Sequence, residues 1–258
     1  MIVTLTTDFG LADGYVGILK GVILSIAPDA HLVDVSHDIA PQDVRQAAYV
    51  LGRAAPYFPR GTVHLAVVDP GVGSARRPLL VQTPDACFVG PDNGLFTFAL
   101  EQPGAAAYEL NRREFWRPAV SATFHGRDIF APVAAHLANG RLPADLGAAV
   151  ADPVRLPELA ATRSGPGRLH GHVSHIDRFG NLITSIPGAW VRHGAWACHI
   201  GGRRIAGIQQ TYAAAPPGTL LALVSSGDTV EIAVRDGSAA ALLGVSVGEP
   251  VDLQQITG

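Results

Sequence analysis

Lysine is almost absent from this chain: Lys20 is the only one in 258 residues. The 19 basic residues, against 22 acidic ones, give a formal net charge of −3 and form no Lys/Arg run. A groove that tracks phosphates would have to be assembled from scattered arginines, so polynucleotides are set aside as partners. Cysteine is nearly as scarce. Cys87 and Cys198 stand alone, which excludes a disulfide framework and makes the cytoplasm the expected compartment. No apolar run is long enough to span a bilayer, and the opening MIVTLTTDFG has neither the basic start nor the hydrophobic stretch of a signal peptide, so no membrane partner is expected.

Glycine (29), proline (19) and a 48% hydrophobic fraction are what the chain has in quantity, enough for one large domain or two modest ones with ample core. The pattern divides in two. From Ile2 onward, short β-branched runs alternate with helix-like stretches: IVTLTT, then GYVGILKGVILSIAP with apolar residues at helical spacing, then HLVDV, then DVRQAAYVLGRAAPYF opened by Asp43, then TVHLAVV. This predicts an α/β N-terminal domain over residues 1–150 with a mostly parallel sheet covered on both faces. Residues 151–168, rich in Pro, Gly and Ala without a period, read as a linker. From 169 to 258, short alternating runs punctuated by Gly and Pro predict a small antiparallel β-barrel domain.

Asp8 and Asp69 each follow a strand at its carboxyl end, the edge where open α/β sheets bind ligands. The turn after the third strand, in AVVDPGVGSARRPLLV, is not a dinucleotide loop: Arg76 stands where the third glycine is needed, and a strand follows instead of a helix. What remains is a carboxylate stiffened by Pro70, two glycines and two returning arginines, which fits either an ordinary Asp-Pro turn or a close wrap around a small object. FHGRDIFAP places His125 beside Asp128 near a helix start. TTDFG at position 8 has no room upstream for a kinase nucleotide loop, which leaves Asp8 as a turn cap or a ribose-diol acceptor.

Two groups invite a metal reading: Asp34, His37 and Asp38, and the run His170, His172, His175 and Asp177. A polar loop and a strand with one solvated face explain them as well. Asp177, Phe179 and Asn181 around Gly180 can together hold an amine, a flat ring and an amide-like base edge.

Taken together and in this order, TTDFG, VVDPGVGSARR, GPDNG, FHGRDIFAP, IDRFGNLIT, TYAAAPPG and SSG closely resemble the S-adenosylmethionine (SAM) hydroxide adenosyltransferases, adenosine-forming hydrolases related to bacterial fluorinase and chlorinase. The similarity runs over essentially the whole chain. It implies an N-terminal α/β domain, a C-terminal β-barrel, and a homotrimer whose active sites lie between the N-terminal domain of one subunit and the C-terminal domain of the next. It implies SAM as substrate, no cofactor and no metal, and displacement of methionine from the 5′ carbon by water. Asp69, Arg76 and His125 match the set associated with that water. Asp8 matches a ribose contact, Asp177 the methionine amino contact and Asn181 the adenine edge, while Phe179 and Tyr212 match an adenine sandwich and Ser226 the methionine carboxylate contact.

Aligned with the halogenating relatives, Asp69 stands in place of a tyrosine, Val72 and Gly126 in place of hydroxyl donors, Gln42 in place of a tryptophan, and Gly227 in place of an arginine. A carboxylate repels a halide and the missing donors cannot replace its hydration shell, so halide transfer is not expected. A SAM or adenosine binding protein with little turnover is the alternative from another class, and a metal hydrolase built on the histidine run the more distant one.

Overall fold

Five buried residues out of six in the first strand, β1 (Ile2–Thr7), show why the chain must be covered on both faces from its start. The computed structural model describes residues 1–157 and 159–256; Glu158, within the expected linker, and the last two residues of the expected barrel lie outside the described residues. After β1 come helix α1 (Tyr15–Ile26), strand β2 (His31–Ser36), helix α2 (Val44–Ala54) and strand β3 (Thr62–Val67). Asp43 opens α2 as the sequence predicts, its side chain accepting the amide of Gln46 at 2.8 Å. In α1 the buried stripe is Val16, Leu19 and Ile23, whereas Tyr15 and Ile18 of the apolar pattern are exposed.

β1 lies between β2 and β3, parallel to both, in a register that sets Thr7 beside Val67. Asp8 and Asp69 therefore leave neighbouring strands at one edge of the sheet. Next come strands β4 (Pro78–Gln82) and β5 (Ala86–Pro91), helix α3 (Thr97–Leu100), strand β6 (Ala106–Glu109), helix α4 (Ala131–Ala138) and strand β7 (Ala148–Ala149). The sheet order is β2-β1-β3-β5-β4-β6-β7. β5 runs parallel to β3, but the β5–β4, β4–β6 and β6–β7 pairings are antiparallel. The sheet is thus mixed, half of it departing from the mostly parallel pattern expected. The cause is local: residues 68–77 contain no helix to carry the chain back across the sheet, so β4 sets off from the edge at which β3 ended and must run the opposite way.

Alternation along β3 points Val63, Leu65 and Val67 to one face, where they pack with Leu19, Ile23, Val133 and Leu137 of α1 and α4. Ala66, Val68 and Phe88 point to the other, against Ala47 and Leu51 of α2 and Ala99 of α3.

The chain separates into two units, residues 1–156 and the residues from 157 on. In the second unit, β8 (Thr162–Gly165) occupies part of the stretch read as linker and pairs with β9 (Arg168–Ile176). β10 (Leu182–Pro187), β11 (Ala195–Ile200), β12 (Arg203–Ala206), β13 (Ile208–Gln209), β14 (Leu220–Val224), β15 (Thr229–Val234), the short helix α5 (Ala239–Leu243) and β16 (Pro250–Ile256) follow. The order is β12-β11-β16-β9-β10-β15-β14-β13, with β8 on β9. Its two ends, β12 and β13, are separated in the chain by Gly207 alone, at φ +79°, so the sheet has to roll back upon itself into a barrel-like form. Leu169, Val173, Leu182, Trp196, Cys198 and Ile232 fill its interior. Among the described residues no helix is long and apolar enough to cross a membrane, and both thiols are free. Burial pushes Cys87 up to about 11 and Cys198 to about 12.

Candidate active site

The loop from Asp69 to Arg76 is a pair of tight turns. The Val72 amide donates to the Asp69 carbonyl at 3.2 Å, and the Ser74 amide and hydroxyl both donate to the Gly71 carbonyl, at 3.1 and 2.7 Å. Gly73 sits at φ +77°, where a Cβ would lie 2.4 Å from the Ala122 carbonyl oxygen, so only glycine lets this loop approach the segment that carries His125.

The turns bring Arg76 back over Asp69. Its Nε donates to Oδ1 at 2.9 Å and its Nη2 to Oδ2 in a shorter contact, with the two side chains only 9% and 6% exposed. Nη2 also donates to Nδ1 of His125 at 2.9 Å, and the guanidinium lies over the Phe130 ring. His125 enters from the segment before α4, a π-helical turn over Gly126–Phe130. Fully buried Asp128 ties that segment down, accepting the Ser121 amide at 2.9 Å and both Nε and Nη2 of Arg127 at 2.7 and 2.8 Å. Burial alone would raise the Asp128 carboxyl, but the Arg127 hydrogen bonds outweigh it and hold it below the usual carboxylate range.

A guanidinium can only donate, so Nδ1 of His125 is the acceptor and the neutral ring carries its proton on Nε2. Burial first, and the Arg76 charge second, hold its pKa below the ordinary imidazole value. The ring is therefore a neutral hydrogen-bond donor at Nε2 near neutral pH.

Asp8, Asp69 and His125 line one cleft of about 570 Å³ together with Phe9, Tyr15 and Phe124. The three aromatic rings pack edge to face, with centroids 5.4 to 6.0 Å apart. Gln42 reaches the same cleft from a left-handed backbone conformation, φ +68°, its amide donating to Asp8 Oδ2 at 2.8 Å. Nearby, Asp34 is engaged by Lys20 at 2.6 Å, and His37 Nδ1 pairs with the Thr7 hydroxyl at 2.8 Å, so the polar HLVDVSHDI stretch braces the end of β1.

The second unit holds the remaining candidates. Asp177 closes the β9–β10 turn, Oδ1 accepting the Phe179 and Asn181 amides at 2.9 Å and Oδ2 accepting Asn181 Nδ2 at 3.0 Å. Phe179 is 76% exposed at the tip of that turn. Tyr212 donates its hydroxyl to Glu231 at 2.5 Å, and Ser226 is exposed in the β14–β15 turn. Glu231 escapes the sequence reading, because alternation through TVEIAV points it outward; it is buried, and burial together with the Asp177 charge raises its carboxyl. His170 bonds Asp252 at 2.8 Å, and among the described residues no group of three or more His, Cys, Asp or Glu is placed to hold a metal.

Comparison with known proteins identifies the family. The SAM hydroxide adenosyltransferase N-terminal domain matches residues 3–147 and the SAM hydroxide adenosyltransferase C-terminal domain residues 171–252. The chain is 46% identical to the (R)-S-adenosyl-L-methionine hydrolase of Thermus thermophilus, over 96% of this chain and 97% of that one. It is 44% identical to the Salinispora tropica protein of the same name, over 96% and 95%. An uncharacterized conserved protein from Thermotoga maritima has a similar crystal structure, with a TM-score of 0.91 and 35% identity over 99% of this chain and 100% of that one. The chain belongs to the SAM hydroxide adenosyltransferase family.

Proposed function

We infer that the protein is an S-adenosyl-L-methionine hydrolase, producing adenosine and L-methionine by in-line attack of water at the ribose 5′ carbon. The observation that carries this reading is the Asp69–Arg76–His125 set at the wall of a cleft that also holds Asp8. Binding alone requires no such arrangement. The (R) in the names of the similar hydrolases makes the (R)-sulfonium epimer the substrate proposed.

The sulfonium departs as a neutral thioether, so neither an acid at the leaving group nor a cofactor is required. The demand falls on the nucleophile. In our reading Asp69 takes the proton of the water; each of its oxygens keeps a lone pair beyond the one given to Arg76. His125 holds the water oxygen in line through its Nε2 proton. As the O–C5′ bond forms, the C5′–S bond breaks with its electron pair going to sulfur, and the proton on Asp69 returns to solvent. Arg76 remains charged throughout and fixes both partners.

Asp8 is proposed to accept the ribose hydroxyls, one of its oxygens being oriented by the Gln42 amide. Asp177 is assigned to the methionine amino group, Asn181 to the adenine edge, Phe179 and Tyr212 to the faces of the adenine, and Ser226 to the carboxylate. We propose that a neighbouring copy supplies these groups in a homotrimer, with domain 1–150 handling water and ribose and domain 169–258 the rest. The exposed Phe179 ring supports that arrangement. The free thiols in both units support a cytoplasmic location. Val72 and Gly126 line the cleft without hydroxyls, and Asp69 repels anions, which disfavours halide as nucleophile.

The test is incubation of purified protein with each sulfonium epimer, with and without halide, and chromatography of the nucleosides. Adenosine and methionine in equal amounts, unaffected by halide and lost in Asp69→Ala, are expected. A 5′-halo nucleoside, or substrate bound but unreacted, overturns the reading.

A further inference from the structure

Behind the Asp69–Arg76–His125 set lies a second cavity, about 510 Å³, to which Arg76 and His125 also contribute. Its other polar walls are Arg113, Trp116 and Arg117, and among the described residues no carboxylate lines it. Arg76 gives Nε and Nη2 to Asp69 and His125, so its third nitrogen, Nη1, faces away from Asp69. Nη1 is buried without a hydrogen-bond partner, on a side chain that is itself 9% exposed. Trp116 Nε1 is buried and unpartnered in the same way.

The surrounding charge is of one sign. Arg113 lies over the Trp116 ring at 5.6 Å and forms no ion pair among the described residues. Arg117 reaches Asp128 only at 3.5 Å, and that carboxylate is already held by Arg127. Buried donors left without acceptors cost free energy, and the arginines that line the cavity are always charged. An anion in the cavity meets the accessible Arg113 and Arg117 guanidiniums directly and is favoured by the Arg76 charge buried in the wall.

We propose that this rear cavity binds a small oxyanion, phosphate or carboxylate, held directly by Arg113 and Arg117, with the unpartnered Arg76 Nη1 and Trp116 Nε1 buried in the wall behind it. Because Arg76 is shared, the anion sits one guanidinium away from the nucleophile side of the cleft. Its binding is a property of the free protein and does not depend on the hydrolase reading.

Calorimetric titration with inorganic phosphate, and separately with acetate, tests it without SAM present. Saturable binding of at least one anion is expected, weakened roughly tenfold or more in Arg113→Gln, as befits loss of a charge-assisted contact. Val120→Glu, which sets a carboxylate at the half-exposed rim and leaves every donor in place, is expected to abolish binding with unchanged thermal unfolding. Phosphate binding should also change the fluorescence of the native protein and not that of Trp116→Phe. No saturable binding of either anion to the native protein, or binding that is unaltered in both Arg113→Gln and Val120→Glu, overturns the proposal.

Discussion

Arg76 holds His125 by donating Nη2 to Nδ1 at 2.9 Å, and this one contact decides the chemistry available to the ring. Since the guanidinium cannot accept, the imidazole presents a proton at Nε2 and is not free to collect one there. Asp69→Asn is therefore expected to lower kcat by about 10²- to 10⁴-fold, the usual range for loss of a general base. His125→Gln retains both an acceptor for Arg76 and an N–H, and its loss should stay near tenfold, about 1.4 kcal/mol. Single-turnover rates for the two variants check this; a larger loss in His125→Gln would move the base to the imidazole. With the His125 pKa depressed by burial and by Arg76, any fall in kcat/KM caused by its protonation is expected below pH 6.5.

Asp8 has a structural partner as well as a proposed substrate. Its Oδ2 accepts the amide of Gln42, which is held at φ +68°. Asp8→Asn retains an acceptor for that amide, so stability should change by less than about 0.5 kcal/mol while KM for SAM rises, the amide oxygen being a poorer acceptor for a ribose diol. Asp8→Ala removes both functions and should cost about 1 kcal/mol of stability in addition. Denaturant unfolding beside steady-state kinetics separates the two effects. Equal stability losses in both variants would show that the Gln42 contact does not carry them.

How much of this could be read beforehand differs by residue. IVTLTT and TVHLAVV end visibly at Asp8 and Asp69, but their adjacency comes from the register that pairs Thr7 with Val67, and pairing is a long-range property. The return of Arg76 is legible in the Gly71 and Gly73 spacing, whereas the meeting with His125 depends on Ala122 and on the tie between Asp128 and Ser121, and only the family resemblance pointed to it. The C-terminal runs match β9 to β16 closely, because alternation is a local signal. Glu231 fits that alternation as an outward-facing polar residue, so the pattern gives no sign that it is buried. Arg113, Trp116 and Arg117 lie in and around a single short turn with no period to betray them. The mixed sheet follows from the helix-free Asp69–Arg77 stretch, which reverses β4; strand alternation carries no information on direction.

Gly73 links loop geometry to rate. Gly73→Ala places a Cβ 2.4 Å from the Ala122 carbonyl in a backbone conformation that disfavours side chains. The loop and the His125 segment must separate, and Arg76 cannot then serve Asp69 and His125 together. The expected cost is about 1–3 kcal/mol in stability and about 100-fold in kcat. The comparison that isolates the cause is Val72→Ala in the same loop, with ordinary backbone, which should retain activity to within about tenfold. If Gly73→Ala behaved like Val72→Ala, the close approach at Ala122 would have no part in holding the set.

The most buried imidazole lies away from the cleft and gives a separate readout of the fold. His64, in the middle of β3, has no exposed surface; it pairs with the Thr4 hydroxyl at 2.8 Å and stacks on Phe88 with ring centroids 4.9 Å apart. Burial lowers its pKa from the ordinary 6.5 to about 4. A depressed histidine means that the unfolded chain takes up the proton first as pH falls, so stability declines between pH 6.5 and about 4 and levels off below that, once the folded state is protonated too. The slope is about 1.4 kcal/mol per pH unit and the full loss about 3 kcal/mol. His64→Gln keeps an acceptor for Thr4 and removes the titration, so its stability relative to the native protein should improve by that amount as pH drops through this window, whatever its absolute value at neutral pH. Urea unfolding of both proteins across the window measures the difference directly. Parallel curves would mean that His64 is protonated, or reaches solvent, in the folded state, and that β3 is looser at its centre than its packing shows.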